Sequence, residues 1–175
     1  MTIPITVALL LVVLTAGVYD LRVRRIPNWL TLSGLILGFG MNALAGQGDL
    51  VKAILGLLCA LAVYVPLYLV RGMGAGDVKL MAAVGCMAGP SNWIRIFLVT
   101  ALLGGAAALA LVAAKRRFQQ TTTNLGVIVT ELVHYRVPAR RNEQLDIRDS
   151  RALRMPHGMV IAAACIFFLF IWRMR

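Results

Sequence analysis

The sequence predicts an all-α fold, a polytopic bundle of about six transmembrane helices, and three observations carry that prediction. First, 60% of the 175 residues are apolar and only 14% are charged, against about 45–50% and about 25% in ordinary soluble chains. The mean hydropathy is +0.82, and apolar surface in that excess belongs in lipid. Second, the apolar residues come in runs of membrane-crossing length. Third, the basic residues gather in alternate loops. Cytosolic enzymes and disordered tails are excluded by composition alone, and a chain of this size makes one domain. Residues 1–175 are therefore read as a single membrane-embedded unit.

The first run, Thr2–Tyr19, lacks the basic amino end and small-residue cleavage pattern of a signal peptide, and is read as a permanent helix. Trp29–Ala45 is the second, with Pro27-Asn28 at its start because a first helical turn tolerates proline. Ala53–Val70 is the third and Val78–Ala88 the fourth, the latter too short to cross alone. Trp93–Ala114 and Met159–Trp172 complete the set. Gly34 with Gly38, and Gly85 with Gly89, have the small-residue spacing of packed membrane helices. Between the fifth and sixth runs lies the only extended polar segment, 115–156, too long for a plain connector. Within it Leu125, Ile128, Val129, Leu132 and Val133 fall at helical spacing. They predict a short amphipathic helix that lies on the membrane face, covers the site or packs on the bundle. The part after Pro138, rich in Arg and Asp, reads as mobile.

Of the 18 Lys and Arg, Arg22, Arg24 and Arg25 fall between the first two runs, Arg71 follows the third, and nine lie between Lys115 and Arg154. The alternate loops, Gly46–Lys52 and Gly89–Asn92, hold only Lys52. Cytoplasmic loops accumulate Lys and Arg, so both termini face outward and segment 115–156 is a cytoplasmic loop. Arg173 and Arg175, at the outer end, run against this arrangement. Nucleic acid is not an expected partner, since the charges flank apolar spans and lack interleaved aromatic platforms. The lipid bilayer is. Cys59, Cys86 and Cys165 sit inside apolar runs, and the only histidines, His134 and His157, have no paired cysteines nearby. Neither a metal nor a cofactor is expected.

The acidic residues sort by position. Glu131, Glu143, Asp146 and Asp149 lie in the long polar segment and Asp49 in a short outer turn. Asp20 closes the first run and Asp77 opens the fourth, both at cytoplasmic ends in this topology. A carboxylate at a membrane boundary is a functional candidate. Plain alternatives exist: Asp20 pairing with Arg24, and Asp77 capping a helix, a role worth about 1 kcal/mol. A cap needs no glycines, however, and Gly72, Gly74 and Gly76 precede Asp77. They permit close backbone approach and positive φ, as a turn holding an extended peptide against Asp77 would require. Phosphate cradling is set aside because the Gly-Lys-Ser/Thr of that loop type is missing.

At these residues the chain resembles the type IV prepilin peptidases, membrane aspartic proteases marked by an Asp followed by a basic stretch and Ile-Pro-Asn, then by Gly-x-Gly-Asp. The stretches here read Asp20-Leu21-Arg22-Val23-Arg24-Arg25-Ile26-Pro27-Asn28 and Gly74-Ala75-Gly76-Asp77-Val78-Lys79-Leu80. Met155-Pro156-His157-Gly158 is a weaker echo of the family's Pro-Tyr-Gly, with His157 departing from it. The resemblance covers Val7 to Ala114 well and the rest loosely. It implies an aspartic endopeptidase of the bacterial inner membrane, with Asp20 and Asp77 catalytic and the site toward the cytoplasm. Its substrate would be a prepilin with a short basic leader, a Gly before the cut and a hydrophobic helix after it. With Asp20 directly after the first run and no Cys-x-x-Cys motifs, the chain looks like the short, peptidase-only branch of Flp or tight-adherence pili, without N-methyltransferase activity.

Hydrolysis without metal or covalent nucleophile needs one carboxylate to take a proton from water and a protonated partner to polarise the carbonyl. Two close carboxylates share one proton, so the roles are exchangeable. Gly74 and Gly76 are the expected substrate-loop residues, with Lys79, Arg24, Pro27 and Asn28 as supports. Lys79 either stabilises the pair or reaches for the interface; Arg24 docks acidic groups or fixes topology; Asn28 either starts the second run with Pro27 or bonds the Asp20 loop. Two other classes compete: a small proton-coupled membrane transporter and a noncatalytic membrane scaffold. Boundary carboxylates and the lack of an internal repeat speak against the transporter. Oligomeric state is left open.

Overall fold

The computed structural model describes residues 2–70, 72–114 and 156–173. Among these the chain is helix and short turns, with no strand. The expected amphipathic helix and cytoplasmic loop therefore lie outside the described residues, apart from Pro156. The helices are α1 (Ile3–Val23), α2 (Asn28–Ala45), α3 (Gln47–Leu69), α4 (Ala75–Ala114) and α5 (His157–Arg173). On length and composition α1, α3 and α4 can each cross a bilayer. The protein is thus an all-α polytopic membrane bundle, as the composition predicts.

Two boundaries differ from the sequence expectation. The first apolar run ends at Tyr19, but α1 continues through Asp20 to Val23, because no residue before Pro27 forbids helix. Its end is marked by Arg24, a non-glycine in the left-handed region (φ 53°), whose N–H bonds the Asp20 carbonyl oxygen at 2.9 Å. Such a conformation costs about 1 kcal/mol. The expected outer loop Gly46–Lys52 is mostly helix. Gly46 alone turns the chain (φ 139°), and Asp49 sits in the first turn of α3, where the helix dipole favours it. Lys52 Nζ donates to Asp49 Oδ1 at 2.7 Å.

α4 contains the expected fourth and fifth runs. Its φ and ψ are non-helical at Gly89 (73°, 169°), directly before Pro90. A straight helix would put Phe97 about 30 Å from Asp77. Tyr64, however, lies within electrostatic reach of Asp77 and meets the Phe97 ring at 5.9 Å and the Trp93 ring at 6.3 Å. The chain therefore folds back at Gly89. The resulting short arm, 75–88, and long arm, 90–114, correspond to the two runs.

Because the helices are apolar all round, buried faces are recognised by residue size as much as by polarity. α1 buries Ile5, Leu9, Val12, Val13, Ala16, Gly17 and Asp20 along one stripe. α2 buries Leu30, Thr31, Gly34, Gly38 and Asn42, and α3 buries Ala53, Gly56, Ala60 and Tyr64. These stripes close on the short arm of α4, every residue of which from Leu80 to Gly89 is buried. Gly56 and Gly85 touch backbone to backbone: a Cβ on either would overlap the other's carbonyl. Gly34 admits Ala83 and Val12, and Gly38 admits Cys86 and Met87. Small-residue seams of this kind let membrane helices gain dispersion energy that lipid contact cannot supply. Asn42 Nδ2 ties α2 to α4 by donating to the Cys86 carbonyl at 3.2 Å.

Candidate active site

Asp20 stands in the last turn of α1, 8% exposed despite its charge. A buried carboxylate needs hydrogen-bond partners, and it finds one across the bundle. The Gly158 backbone N–H, in the first turn of α5, donates to Asp20 Oδ2 at 2.7 Å. Among the described residues no ion pair joins Asp20 to Arg24, whose side chain is exposed. The Asp20–Arg24 pairing weighed from sequence is thereby replaced by a main-chain contact.

Asp77 lies in the first turn of α4. Gly74 acts as that helix's cap: its carbonyl accepts from the N–H groups of Asp77 at 3.2 Å and Val78 at 3.3 Å. The Asp77 side chain folds back over it, with Oδ2 3.2 Å from where a Gly74 Cβ would stand, and takes a backbone hydrogen bond from Gly74. Asp20 and Asp77, 57 positions apart in the numbering, are close enough for their charges to act on each other. Tyr64, 2% exposed, is within the same reach of Asp77. His157 is within reach of Asp20, and its buried Nε2 has no hydrogen-bond partner among the described residues.

The glycines act otherwise than expected. Positive φ among described glycines occurs only at Gly46 and Gly89, so Gly72, Gly74 and Gly76 are not needed for left-handed backbone. Gly74 and Gly76 serve proximity, whereas a Cβ on Gly72 would meet only ordinary contacts. A Cβ on Gly76 would come within 3.2 Å of Ile26 Cβ, and one on Gly158 within 3.1 Å of Ile26 Cδ1. Ile26 thus wedges between the first turns of α4 and α5, each of which holds one of the carboxylates. The left-handed cap at Arg24 turns the chain so that Ile26 arrives there, and Pro27 holds the extended approach to α2 (φ −64°, ψ 140°).

Of the other expected supports, Lys79 and Asn28 meet each other. Lys79 Nζ donates to Asn28 Oδ1 at 2.8 Å, on the exposed side, joining the start of α2 to the second turn of α4. Asn28 therefore starts α2, the first of its two readings, and its side chain bonds Lys79 and not the Asp20 loop. Tyr19 and Trp29 pack edge to face at 6.2 Å nearby, an aromatic pair of the type that marks the membrane–water interface. Arg71 lies outside the described residues. Gly158, Tyr64, Ile26 and Gly56 were not singled out as site or seam residues from sequence. Only Gly158 and Ile26 had a signal, as members of short motifs.

An all-helical membrane bundle that brings two carboxylates together at the ends of three helices defines a polytopic membrane protein with a recessed acidic pair. The chain belongs to the Type IV leader peptidase family, which it matches over residues 7–109. It is 37% identical over 112 residues to the prepilin leader peptidase/N-methyltransferase of Escherichia coli (strain K12), covering 60% of this chain and 50% of that protein. Similarity to the proteins of the same name from Neisseria gonorrhoeae (36% over 107 residues; 56% of this chain, 37% of the relative) and Aeromonas salmonicida (31% over 114 residues; 61% and 39%) is comparable. The chain spans half or less of the length of these curated relatives. No solved structure matches it.

Proposed function

We propose that this chain is a membrane aspartic endopeptidase that removes the leader from type IV prepilins. The observation that carries this reading is the approach of Asp20 and Asp77 at one end of the bundle, within electrostatic reach of each other. Family membership and the names of the relatives support the choice of substrate.

The reaction needs one ionised and one protonated carboxylate. The ionised member takes a proton as water oxygen bonds to the scissile carbonyl carbon, and the other gives its proton to the carbonyl oxygen. As the tetrahedral intermediate collapses, the C–N bond breaks and the amine takes the proton that came from water. The remaining carboxylate recovers its proton from the intermediate's hydroxyl, so the pair ends as it began. The chain's own groups supply every transfer.

The active site faces the cytoplasm of a bacterium's inner membrane in this reading, because the Arg22, Arg24 and Arg25 cluster flanks it. The substrate presents a basic leader to that side and keeps its hydrophobic helix in the bilayer. The finer assignment is to Flp-type prepilins, cut without N-methylation; Cys59, Cys86 and Cys165 form no Cys-x-x-Cys pair. Incubation with S-adenosylmethionine and cleaved pilin is expected to transfer no methyl group.

Co-expression with a Flp-type prepilin tests the central claim. Asp20→Asn and Asp77→Asn, each inserted at normal level, are expected to lose about 10²–10⁴-fold in leader cleavage. The double variant should be hardly worse, since members of one catalytic unit are not additive. Asp49→Asn and Asp146→Asn should cleave normally. Near-normal processing by either dyad variant would end the aspartic-peptidase reading.

A further inference from the structure

We propose that Gly158 is a positioning residue for Asp20: its backbone N–H holds one carboxylate oxygen, and its missing side chain gives that carboxylate its place. The inference rests on the dyad reading above and adds an element to it, since it makes α5 part of the catalytic apparatus.

Two independent features of one residue meet here. The N–H of Gly158 reaches Asp20 Oδ2 at 2.7 Å, the short length of a hydrogen bond to a carboxylate. A Cβ at the same residue would stand 3.0 Å from that oxygen, 3.1 Å from Asp20 Cβ and 3.1 Å from Ile26 Cδ1. All three distances are shorter than the 3.4 Å at which ordinary contact begins, so a side chain here would make Asp20 or Ile26 give way by a few tenths of an ångström. In the first turn of a helix an N–H has no intrahelical acceptor, so this donor is available to Asp20 without cost to α5.

The bond also restricts what Asp20 can do. With Oδ2 bonded to Gly158, the second oxygen is the freer one to meet water or Asp77, and rotation about the Cβ–Cγ bond is restrained. Catalytic groups lose about 10²-fold for a displacement of roughly 1 Å, so a carboxylate free to swing would be a poor proton acceptor even in the correct pocket. His157 and Pro156 bring the amide to its position. They come from beyond the segment with which α1 and α4 could have organised the pair alone.

The test separates the amide from the fold. With glycines labelled by nitrogen-15 in the detergent-solubilised full chain, Asp20→Ala is expected to move the Gly158 amide resonance strongly, and Asp77→Ala far less. Equal small shifts in both would overturn the proposal. Gly158→Ala is expected to lose activity, but it strains packing too. The decisive variant therefore replaces the residue with glycolic acid, converting the amide to an ester and removing only the N–H. With a synthetic peptide bearing a basic leader, a Gly before the cut and a hydrophobic segment, kcat should fall roughly 10- to 100-fold while KM changes less than about twofold. The same ester change at Met159, next along that turn, should leave kcat near normal. An ester variant at Gly158 with unchanged kcat would refute the positioning role even while Asp20→Asn is inactive. Activity of Asp20→Asn itself would instead remove the dyad on which the role depends.

Discussion

Replacing Gly56 by Ala should loosen the bundle at the point where it has least room. The new Cβ would overlap the Gly85 carbonyl oxygen and lie 2.8 Å from its carbon and 3.0 Å from the Gly89 carbonyl carbon. Carbon atoms are at their optimum about 3.5–4.0 Å apart, so α3 and α4 must separate by on the order of 1 Å. Neither side can yield by a rotamer change, because all the opposing atoms are backbone. Overpacking usually costs about 1–3 kcal/mol, and we expect the upper part of that range. A gap of that width also forfeits roughly a quarter to a half of the dispersion energy along the seam, where Ala60 packs on Gly85. The assay is thermal unfolding in detergent, with Gly105→Ala as the reference. That position has nothing within 4 Å, and Ala there should be neutral or stabilising by about 0.5–1 kcal/mol. Gly56→Ala as stable as wild type would refute the backbone-contact argument. If Asp77 rides on the displaced arm, cleavage should fall by up to about 10²-fold as well.

Three further outcomes are expected. Ile26→Ala removes the wedge between Gly76 and Gly158, so it should cost about 2–4 kcal/mol as a large-to-small change and reduce cleavage more than KM changes; equal activity and stability would mean the wedge is idle. Reporter tags after Met1 and at Gly48 should be extracytoplasmic and tags near Arg24 or Gln120 cytoplasmic, from the loop charges; cytoplasmic signal at Gly48 would reverse the bundle. Combined replacement of Cys59, Cys86 and Cys165 by Ala, assayed in chelator, should retain cleavage, since no thiol or imidazole has ligand spacing; reversible loss on metal removal would contradict the carboxylate chemistry.

Asp20 and Asp77 were legible in the sequence because a charge beside an apolar run has few uses, and the glycines beside Asp77 were legible because a cap does not need them. What those glycines do was not. Gly74 and Gly76 make room for the Asp77 carboxylate and for Ile26, and closeness to a residue 50 positions away leaves no local trace. The Gly158 contact spans 138 positions, so it was visible only as part of a short motif. Gly56 was hidden for another reason: in a helix apolar on every side, periodicity does not single out the buried face. The helical start of α3 was missed because Gln47 and Asp49 resemble loop residues, although Asp in a first turn is favoured by the helix dipole. The fold class needed none of this, being dictated by composition and run length.

The turn at Gly89 has a consequence for depth. α3 has 23 residues, about 34 Å of helix, whereas the short arm of α4 from 75 to 88 is only about 21 Å long. The shorter arm does not reach level with either end of the longer one. On one side Gly89 faces Lys52, five residues into α3; on the other the charge of Asp77 acts on Tyr64, five residues before its end. Five residues of helix, roughly 7 Å, separate the height of Tyr64 from the end of α3. Asp77 thus stands level with Tyr64, about one and a half turns short of the end of α3 and in the first turn of its own helix, so the two helices overlap along the short arm alone and α3 runs past it.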